Sequence, residues 1–283
     1  ASHLLGFFST FNSDAIKDAT LIKGNGPAQY GGRLSSVLDV KMKDGNNKNY
    51  TVNGGLGLIS SRLSIEGPIQ EDKSSFILSG RRTYADVFLK ATEKFKDNIL
   101  YFYDLNAKAN YKIDDKNRIY FSGYFGQDEL GLGSSFRINW GNKTGTIRWN
   151  RIVNSKLFLN TSFIYSDYSY NVGLKNGETN FNVNSNIKDI NIKQDYTYYL
   201  NPKNTIRYGF NSILHTITPS VFSGTVNNNI NKVGRNGLEN ALYFNNNFKA
   251  NQQLTFDYGL RISAYSIMGG DEYNIYNNNA ITQ

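Results

Sequence analysis

The sequence predicts an all-β protein, specifically a transmembrane antiparallel β-barrel preceded by a smaller N-terminal segment. Three observations predict this fold class. The composition has many aromatic and small polar residues, most of the chain alternates with a two-residue period, and short turns alternate with long connecting stretches. In a membrane barrel one face of each strand meets lipid and the other meets water, which accounts for all three.

Composition restricts the class of protein. The chain has 283 residues, a formal net charge of +8, 39% hydrophobic residues and 14% aromatic residues. It has no cysteine, which excludes a disulfide-stapled scaffold and a cysteine-ligated metal centre. No stretch approaches the length of apolar sequence that a membrane-spanning helix needs. The lysines and arginines are scattered, so the charge does not favour nucleic-acid binding. Composition alone leaves a soluble all-β protein and a transmembrane barrel open.

The two-residue period is clear in 100–113, where apolar residues such as Leu105 alternate with polar residues such as Asp104. It recurs in 189–200 and 254–264. A soluble β-sandwich also alternates in this way, so the period alone does not identify a barrel. For a barrel, we predict lipid-facing Ala107, Ile192 and Leu260 and lumen-facing Asn106, Lys193 and Arg261.

The lengths of the connections separate the two classes. Short polar turns are predicted near 70–73, 114–117, 153–156, 201–204 and 250–253. Longer stretches rich in Gly, Asn and Ser lie near 86–99, 128–142, 172–186, 218–237 and from 268 onward. Bacterial membrane barrels have short turns at one end and long loops at the other. A soluble sandwich has no reason to sort its connections in this way.

Eleven strands are predicted, at 49–58, 62–69, 74–84, 100–113, 118–127, 143–152, 157–170, 186–200, 205–217, 238–249 and 254–267. Single-chain bacterial barrels usually have an even number of strands, and open strand edges cannot face lipid because their backbone groups would stay unpaired. We therefore expect a partial barrel, about 11 strands of a larger one. Its first and last strands would form an open arc or be completed by further polypeptide.

The first 48 residues differ from the rest, being punctuated by glycine and less regular. Strands are predicted at 19–23 and 36–43, separated by a turn at Gly24-Asn25-Gly26-Pro27. This segment is too short to hold a hydrophobic core of its own. We expect it to pack inside the arc formed by the strands.

Residues 14–84 carry a family resemblance. Lys23-Gly24, Tyr30-Gly31-Gly32, a strand at 37–40 and Lys43-Asp44-Gly45 follow one another in the order found at the end of a plug domain. The next two segments, 62–69 and 76–84, resemble early barrel strands of the same proteins. The chain resembles the TonB-dependent outer-membrane receptors, and within them the SusC-type importers.

The resemblance implies a 22-strand barrel filled by an N-terminal plug, with residues 1–48 as the C-terminal part of the plug domain and 49–283 as the first half of the barrel. It implies TonB-dependent import of a nutrient across the outer membrane of a Gram-negative cell. The implied partners are outer-membrane lipid and lipopolysaccharide, TonB through an N-terminal segment, and a SusD-type surface lipoprotein. Two alternatives remain: a structural subunit of a larger outer-membrane assembly, and a soluble all-β binding protein.

Enzyme chemistry finds little support in the residues. His3 and His215 are far apart in sequence, and we interpret His215 as a lumen or solvated residue near a strand end. Gly24-Asn25-Gly26 is followed by Pro27, which does not fit a phosphate-binding loop. We predict no catalytic residue, metal or cofactor, and the sequence does not identify the ligand-binding residues.

Two groups of residues are candidates for the functional site. Arg33, Glu66 and Arg81 are predicted to form a charged seal between plug and wall, or simply to be solvated lumen residues. The predicted plug turn comprises Gly24, Gly26, Tyr30, Gly31 and Gly32. Its glycines are explained by turns and by close backbone approach, and they are compatible with a segment that rearranges during transport.

Overall fold

A computed structural model describes residues 2–3, 8–24, 26–32, 36–177, 179–224, 234–269, 275–277 and 280–282. Before the main sheet the chain forms two small antiparallel pairs. β1 (Ser2–His3) pairs with β2 (Phe8–Ser9), and β3 (Ile16–Ile22) pairs with β4 (Val37–Met42). The candidate Arg33 lies outside the described residues.

The main feature is a single antiparallel sheet of eleven strands. Each strand pairs with its neighbours in sequence, so the sheet is a continuous meander. A short helix, α1 (Ala85–Lys90), separates the third strand from the fourth. A small hairpin, β16 (Ile275–Asn277) and β17 (Ala280–Thr282), follows the sheet. The strands of the sheet are β5 (Thr51–Leu56), β6 (Ser60–Gln70), β7 (Ser74–Thr83), β8 (Ile99–Lys112), β9 (Asn117–Leu132), β10 (Phe136–Ile152), β11 (Leu157–Asn176), β12 (Thr179–Asn201), β13 (Asn204–Gly224), β14 (Arg235–Lys249) and β15 (Thr255–Met268).

This sheet confirms the predicted all-β fold and the eleven strands, each of which overlaps its predicted range. β5 and β15 are the two edges, and the described residues show no pairing between them. The sheet is therefore an open arc, neither a small closed barrel nor a two-sheet sandwich. Among the described residues, no helix has both the length and the apolar character needed to cross a membrane.

Two of the long loops predicted from the sequence are wrong. The stretches 128–142 and 172–186 are largely strand, because β9 and β10 are joined after Leu132 by a three-residue connection, and Asn176 pairs directly with Thr179. Gly133 and Gly177 have φ of +57° and +59°, which suits tight turns. The sequence signal failed there because the outward positions become polar while apolar residues such as Ile138 and Val172 fall on the inner face, as the backbone ladder continues.

The register sets the two faces of the sheet, because directly paired residues in adjacent strands point the same way. Ala107, Ile192 and Leu260 lie on the face that carries exposed apolar side chains, as predicted. Asn106, Lys193 and Arg261 lie on the opposite face, also as predicted. Exposed members of the apolar face are Leu63, Leu78, Leu105, Phe121, Ile147, Phe163, Ile192, Phe210, Leu242 and Leu260.

The inner face is the polar one and is buried in β7 and β8. Ser79, Asp104, Asn106, Lys108 and Asn110 are each at most 8% exposed. A protein folded in water buries apolar side chains and leaves polar ones outside, so this arrangement is inverted. It is the arrangement that a barrel with a wet lumen and a lipid-facing wall requires.

The apolar outer band ends at a row of charges. Along β11 the outward positions run through Phe163 and Tyr165 to Asp167, whose partners across the sheet are Lys143 in β10 and Lys188 in β12. Beyond this row the outward positions of β11 are Ser169, Asn171, Gly173 and Lys175, while apolar residues such as Val172 and Leu174 lie on the inner face. The row marks where the apolar outer surface stops, although β11 continues to Asn176.

Candidate functional site

The candidate site is the interface between the N-terminal segment, residues 2–48, and the inner face of the sheet. The segment reaches both sides of the arc: Asn12 donates to the hydroxyl of Ser79 in β7 at 2.7 Å, and the amide of Ala28 donates to Oδ1 of Asn245 in β14 at 3.3 Å. The prediction that this segment sits inside the arc is therefore confirmed for its described residues. Two separate regions of contact hold it there.

The first region, called the N-terminal contact, comprises His3, Ser9, Asn12 and Asp14 with the inner-face residues of β6 to β9 that they touch. Arg81 lies at its centre. The Arg81 guanidinium binds the carboxylate of Asp104 at 2.6 and 2.7 Å and donates to the carbonyl of Ser9 at 2.8 Å. Arg81 thus faces inward as predicted and joins the wall to the N-terminal segment. Its carboxylate partner is Asp104.

His3 is the main residue of this contact that the sequence did not predict. It is 3% exposed, and its ring stacks on Phe102 with centroids 4.2 Å apart. Nδ1 lies 2.6 Å from the carboxylate of Asp128, and Nε2 lies 3.6 Å from that of Asp104. The Tyr124 hydroxyl is 3.2 Å from Nε2. A histidine held between two carboxylates locks the start of the segment to β8 and β9.

One signal in the sequence pointed to this position. Phe102 is an aromatic residue within the otherwise polar face of β8, two residues before Asp104. A large apolar side chain on a lumen face needs a cover, and Phe102 is fully buried beneath His3 and Phe8. The pattern identified a covered spot, but it could not identify which distant residue covers it.

Glu66 lies on the inner face of β6, on the same side as Arg62 and Ser64, as its pairing with buried Ile77 shows. Among the described residues no ion pair includes Glu66. The predicted contact of Arg33 with Glu66 or another inward-facing carboxylate falls outside the described residues and stays a prediction. The observed ion pair in this part of the interface joins Arg62 to Asp14 at 3.2 Å, with Arg62 half exposed.

The second region, called the turn contact, is formed by the predicted plug turn against β12 to β15. The Arg261 side chain passes so close to Gly31 that a Cβ there would collide with it, and Arg261 donates to the carbonyl of Ala28 at 3.5 Å. Tyr30 faces Lys193, whose ammonium lies 6.0 Å from the ring centre. Close approach therefore explains the glycine at Gly31.

The other glycines of the plug turn have different explanations. Gly24 and Gly32 have φ of +63° and +73°, a conformation that favours glycine. Gly32 also approaches Glu239 of β14, where a Cβ would lie 3.8 Å from Oε1. Nothing in the structure requires glycine at Gly26.

A series of neighbouring charged side chains on the inner face includes Arg261, which belongs to the turn contact. Asp189 and Glu239 flank His215 at 2.7 and 3.7 Å, and Arg261 lies 3.9 Å from Glu239. His215 thus faces the lumen and is paired with charges on two neighbouring strands. The described residues contain no group of three or more side chains arranged to hold a metal ion.

Comparison with known proteins shows which folds this architecture resembles. No family model and no curated protein sequence matches the chain. Solved structures match it in fold. The copper transporter OprC has a TM-score of 0.71 and 11% sequence identity, and the match covers 93% of this chain. The alcaligin outer-membrane receptor FauA from Bordetella pertussis has a TM-score of 0.69 and 14% identity, and the match covers 95% of this chain. The ferric citrate transporter FecA in its unliganded form has TM-score 0.66, 12% identity and 91% coverage.

The chain spans 44% of the OprC chain, 47% of the FauA chain and 44% of the FecA chain. At these identities the similarity shows the fold alone. The eleven-stranded arc and the segment it holds therefore have the fold of TonB-dependent outer-membrane receptors.

Proposed function

We propose that this chain works in the outer membrane of a Gram-negative cell as the wall and part of the plug of a TonB-dependent importer. The observation that carries the proposal is the chemistry of the interface: the segment inside the arc contacts the wall mainly through ion pairs and hydrogen bonds. Such contacts hold position, and water can replace them once a force separates the partners. A seal that opens and recloses needs contacts of this kind.

The proposed domains are residues 1–48 as the C-terminal part of the plug and 49–283 as the first half of the barrel. Supporting this division, β3 and β4 form a sheet of their own, and the eleven-stranded sheet begins at Thr51. The exposed apolar outer face would meet membrane lipid, and the charged row at Lys143, Asp167 and Lys188 would lie where lipid gives way to polar headgroups.

In the proposed mechanism a ligand binds at the end of the barrel opposite the short turns, and TonB supplies the force that loosens the plug. No covalent bond is made or broken. The fold neighbours are named for copper, ferric citrate and alcaligin, and none of these is assigned to this chain. Membership of the SusC-type subclass, and a SusD-type partner, rest on the sequence resemblance.

A locking experiment tests the proposal in the complete gene product. The sequence has no cysteine, so Asn12→Cys with Ser79→Cys places one new thiol pair where the N-terminal segment touches the wall. Oxidation should stop uptake of the receptor's nutrient, and a reductant should restore it. The matched control is Ser64→Cys with Ser79→Cys, which joins two directly paired wall residues.

The control disulfide should leave uptake intact, because it ties wall to wall. Uptake that continues through the Asn12–Ser79 lock would show that the segment does not move during import. Uptake that is insensitive both to the lock and to loss of the proton-motive force would favour the structural-subunit alternative.

A further inference from the structure

A cavity of about 610 Å³ lies between the β3–β4 hairpin and the inner face of β8 to β13. The hairpin contributes Lys17, Asp39 and Lys41 to its lining, and Asp44 just after the hairpin completes that side. The wall contributes inner-face residues from six strands, β8 to β13. The cavity therefore lies along any path between plug and wall on this side of the lumen.

The lining is basic. It contains six cationic side chains against three carboxylates. The cations are Lys17, Lys41, Lys108, Arg148, Lys193 and Arg207.

Two of the three carboxylates are already engaged. Asp44 binds the ammonium of Lys108 at 2.6 Å, and Asp195 lies 3.2 Å from that of Lys193 and accepts a hydrogen bond from Tyr243. Lys41 lies 3.9 Å from Asp18, which is outside the lining, so within the lining only Asp39 is left to balance the remaining cations. The described part of the chain gives no carboxylate partner to Lys17, Arg148 or Arg207.

Arg148 is the strongest of these observations. Its guanidinium lies over the ring of Tyr120, 4.8 Å from the centroid, which fixes it against the wall. Its Nε is buried, and no acceptor reaches it among the described residues. A buried guanidinium N–H without an acceptor is unfavourable, and an oxyanion is the acceptor whose geometry suits it.

The register of the strands places two wall cations in one row. Arg148 pairs with Ser162, and Ser162 pairs with Lys193, so the two cations occupy one row of the inner face two strands apart. Adjacent strands are about 4.8 Å apart, which puts the two backbones about 10 Å from each other. Their long side chains can converge on one small multivalent anion.

We infer that this cavity is a binding site for a small oxyanion, carrying carboxylate or phosphate groups, on the wall side of the plug. Arg148 and Lys193 bind it from the wall, and Lys17 and Lys41 bind it from the hairpin. That the anion is a solute in transit rests on the proposed import function, whereas the site itself follows from the charges. Opening the plug would remove the hairpin cations and weaken the site, so binding and release follow plug movement.

The electrostatic potential of the cavity can be measured with two thiol reagents, one anionic and one cationic. Thr146→Cys puts a reporter on the lining of the complete gene product, two residues before Arg148 on the same face of β10. We expect the anionic methanethiosulfonate to react faster than the cationic one by roughly tenfold or more, relative to a free thiol, because a cleft of one charge concentrates its counterions. Asn160→Cys is a second reporter if the first variant does not fold.

Arg148→Gln in the reporter background should lower this preference several-fold. The matched control is Lys143→Gln, on the same strand but on the outer face. It removes the same charge and should leave the ratio unchanged. Millimolar inorganic phosphate or citrate should slow labelling more than chloride of equal ionic strength, and the better protector identifies the anion class.

Equal rates for the two reagents, or no effect of Arg148→Gln, would overturn the inference. Protection by neither phosphate nor citrate would leave a positive surface without a binding site, which also overturns it. These outcomes are separate from the locking experiment. Uptake can depend on plug movement in a receptor whose cavity shows no anion preference. A cavity can likewise prefer anions in a receptor whose uptake does not depend on plug movement.

Discussion

The two regions that attach the N-terminal segment to the wall differ in strength. In the N-terminal contact, His3 of the segment lies between two buried carboxylates of the wall, and Arg81 of the wall donates to the Ser9 carbonyl at 2.8 Å. In the turn contact, the protein hydrogen bonds to Ala28 are 3.3 and 3.5 Å long. Short, buried, charged hydrogen bonds are stronger and costlier to break than long ones. The segment is thus anchored at one end and loosely held at the other.

This difference predicts an order of release. A force on the segment should open the turn contact first, exposing the cavity beside Lys193 while the N-terminal contact still holds. The predictions below test this order, from the largest expected effect to the smallest. Each uses amide hydrogen exchange in the complete gene product, which reports the free energy of local opening.

The largest effect is expected for Asp104→Ala. It leaves the Arg81 guanidinium, which also donates to the Ser9 carbonyl, largely buried without its carboxylate, and it removes one of the two carboxylates beside His3. Losing one partner of a buried ion pair typically costs about 3–5 kcal/mol, shared here between the wall and the N-terminal contact. Exchange at Asp14 and Ala15 should accelerate by part of this amount, while exchange at Ala28 should change little. Equal acceleration at both places would show that the two contacts open as one unit and would break the comparison.

Asn12→Ala should have the next largest effect. Asn12 and Ser79 are 2% and 0% exposed, so the substitution leaves a buried hydroxyl without its partner, a loss of about 1–3 kcal/mol. Adding Ser79→Ala removes the stranded hydroxyl. The double variant should therefore lose less than the sum of the two single variants, and strict additivity would show that the observed hydrogen bond contributes nothing.

Arg261→Gln tests the weak end. The bond from Arg261 to the Ala28 carbonyl is long, so its loss should destabilise the turn contact by about 0.5 kcal/mol, the low end for a hydrogen bond. Exchange at Tyr30, whose amide bonds the Pro27 carbonyl within the turn, reports the result. A loss as large as that of Asp104→Ala would reverse the proposed order of release.

Asp14→Asn should have a smaller effect still at the strong end. Its partner Arg62 is half exposed, and an exposed ion pair contributes about 0.2–1 kcal/mol and weakens with salt. The difference between wild type and variant should vanish in high salt. A difference that persists there would mean that Asp14 acts through its turn with Asn12, whose Oδ1 accepts from the Asp14 amide.

The turn at Asp114, which is distant from both contacts, is expected to depend on pH. Hydrogen bonds from Asn117 and from the Lys116 amide lower the pKa of Asp114 below its usual value. The carboxylate therefore stabilises this turn at neutral pH, and that stability is lost as the pH falls below 3.8 and through the lowered pKa. The protection of the Lys116 amide, relative to an unstructured amide at the same pH, should fall in acid in the wild type and stay constant in Asp114→Asn.

The sequence alone predicted features that depend on local pattern. The two-residue period placed Ile192 outside and Arg81 inside, since parity along a strand decides the face. The positive φ at Gly24 and Gly32 and the crowding at Gly31 agree with a turn signal that is local in sequence. The order of the eleven strands followed because each pairs with its neighbour.

What could not be predicted depends on distance in the sequence or on solvent. His3 meets Asp128 across 125 positions, and no local pattern encodes which lumen carboxylate a segment will meet. The partner of Arg81 was missed because several carboxylates share its face. The upper halves of β11 and β12 were missed because their outward positions are polar and their apolar residues, such as Val172 and Val183, lie on the inner face, while the backbone pairing persists.

That paired extension has a consequence for how a ligand is first captured. From Asp167 to Asn176, β11 runs about 30 Å beyond the apolar band, at about 3.3 Å per residue. It turns back at Gly177 into β12, so its backbone is already ordered before any ligand arrives. In this part of the described chain the rim is formed by paired strands. A solute that binds against it avoids the entropy loss of ordering long loops, so encounter there should be rapid and its affinity should depend little on temperature-driven loop motion.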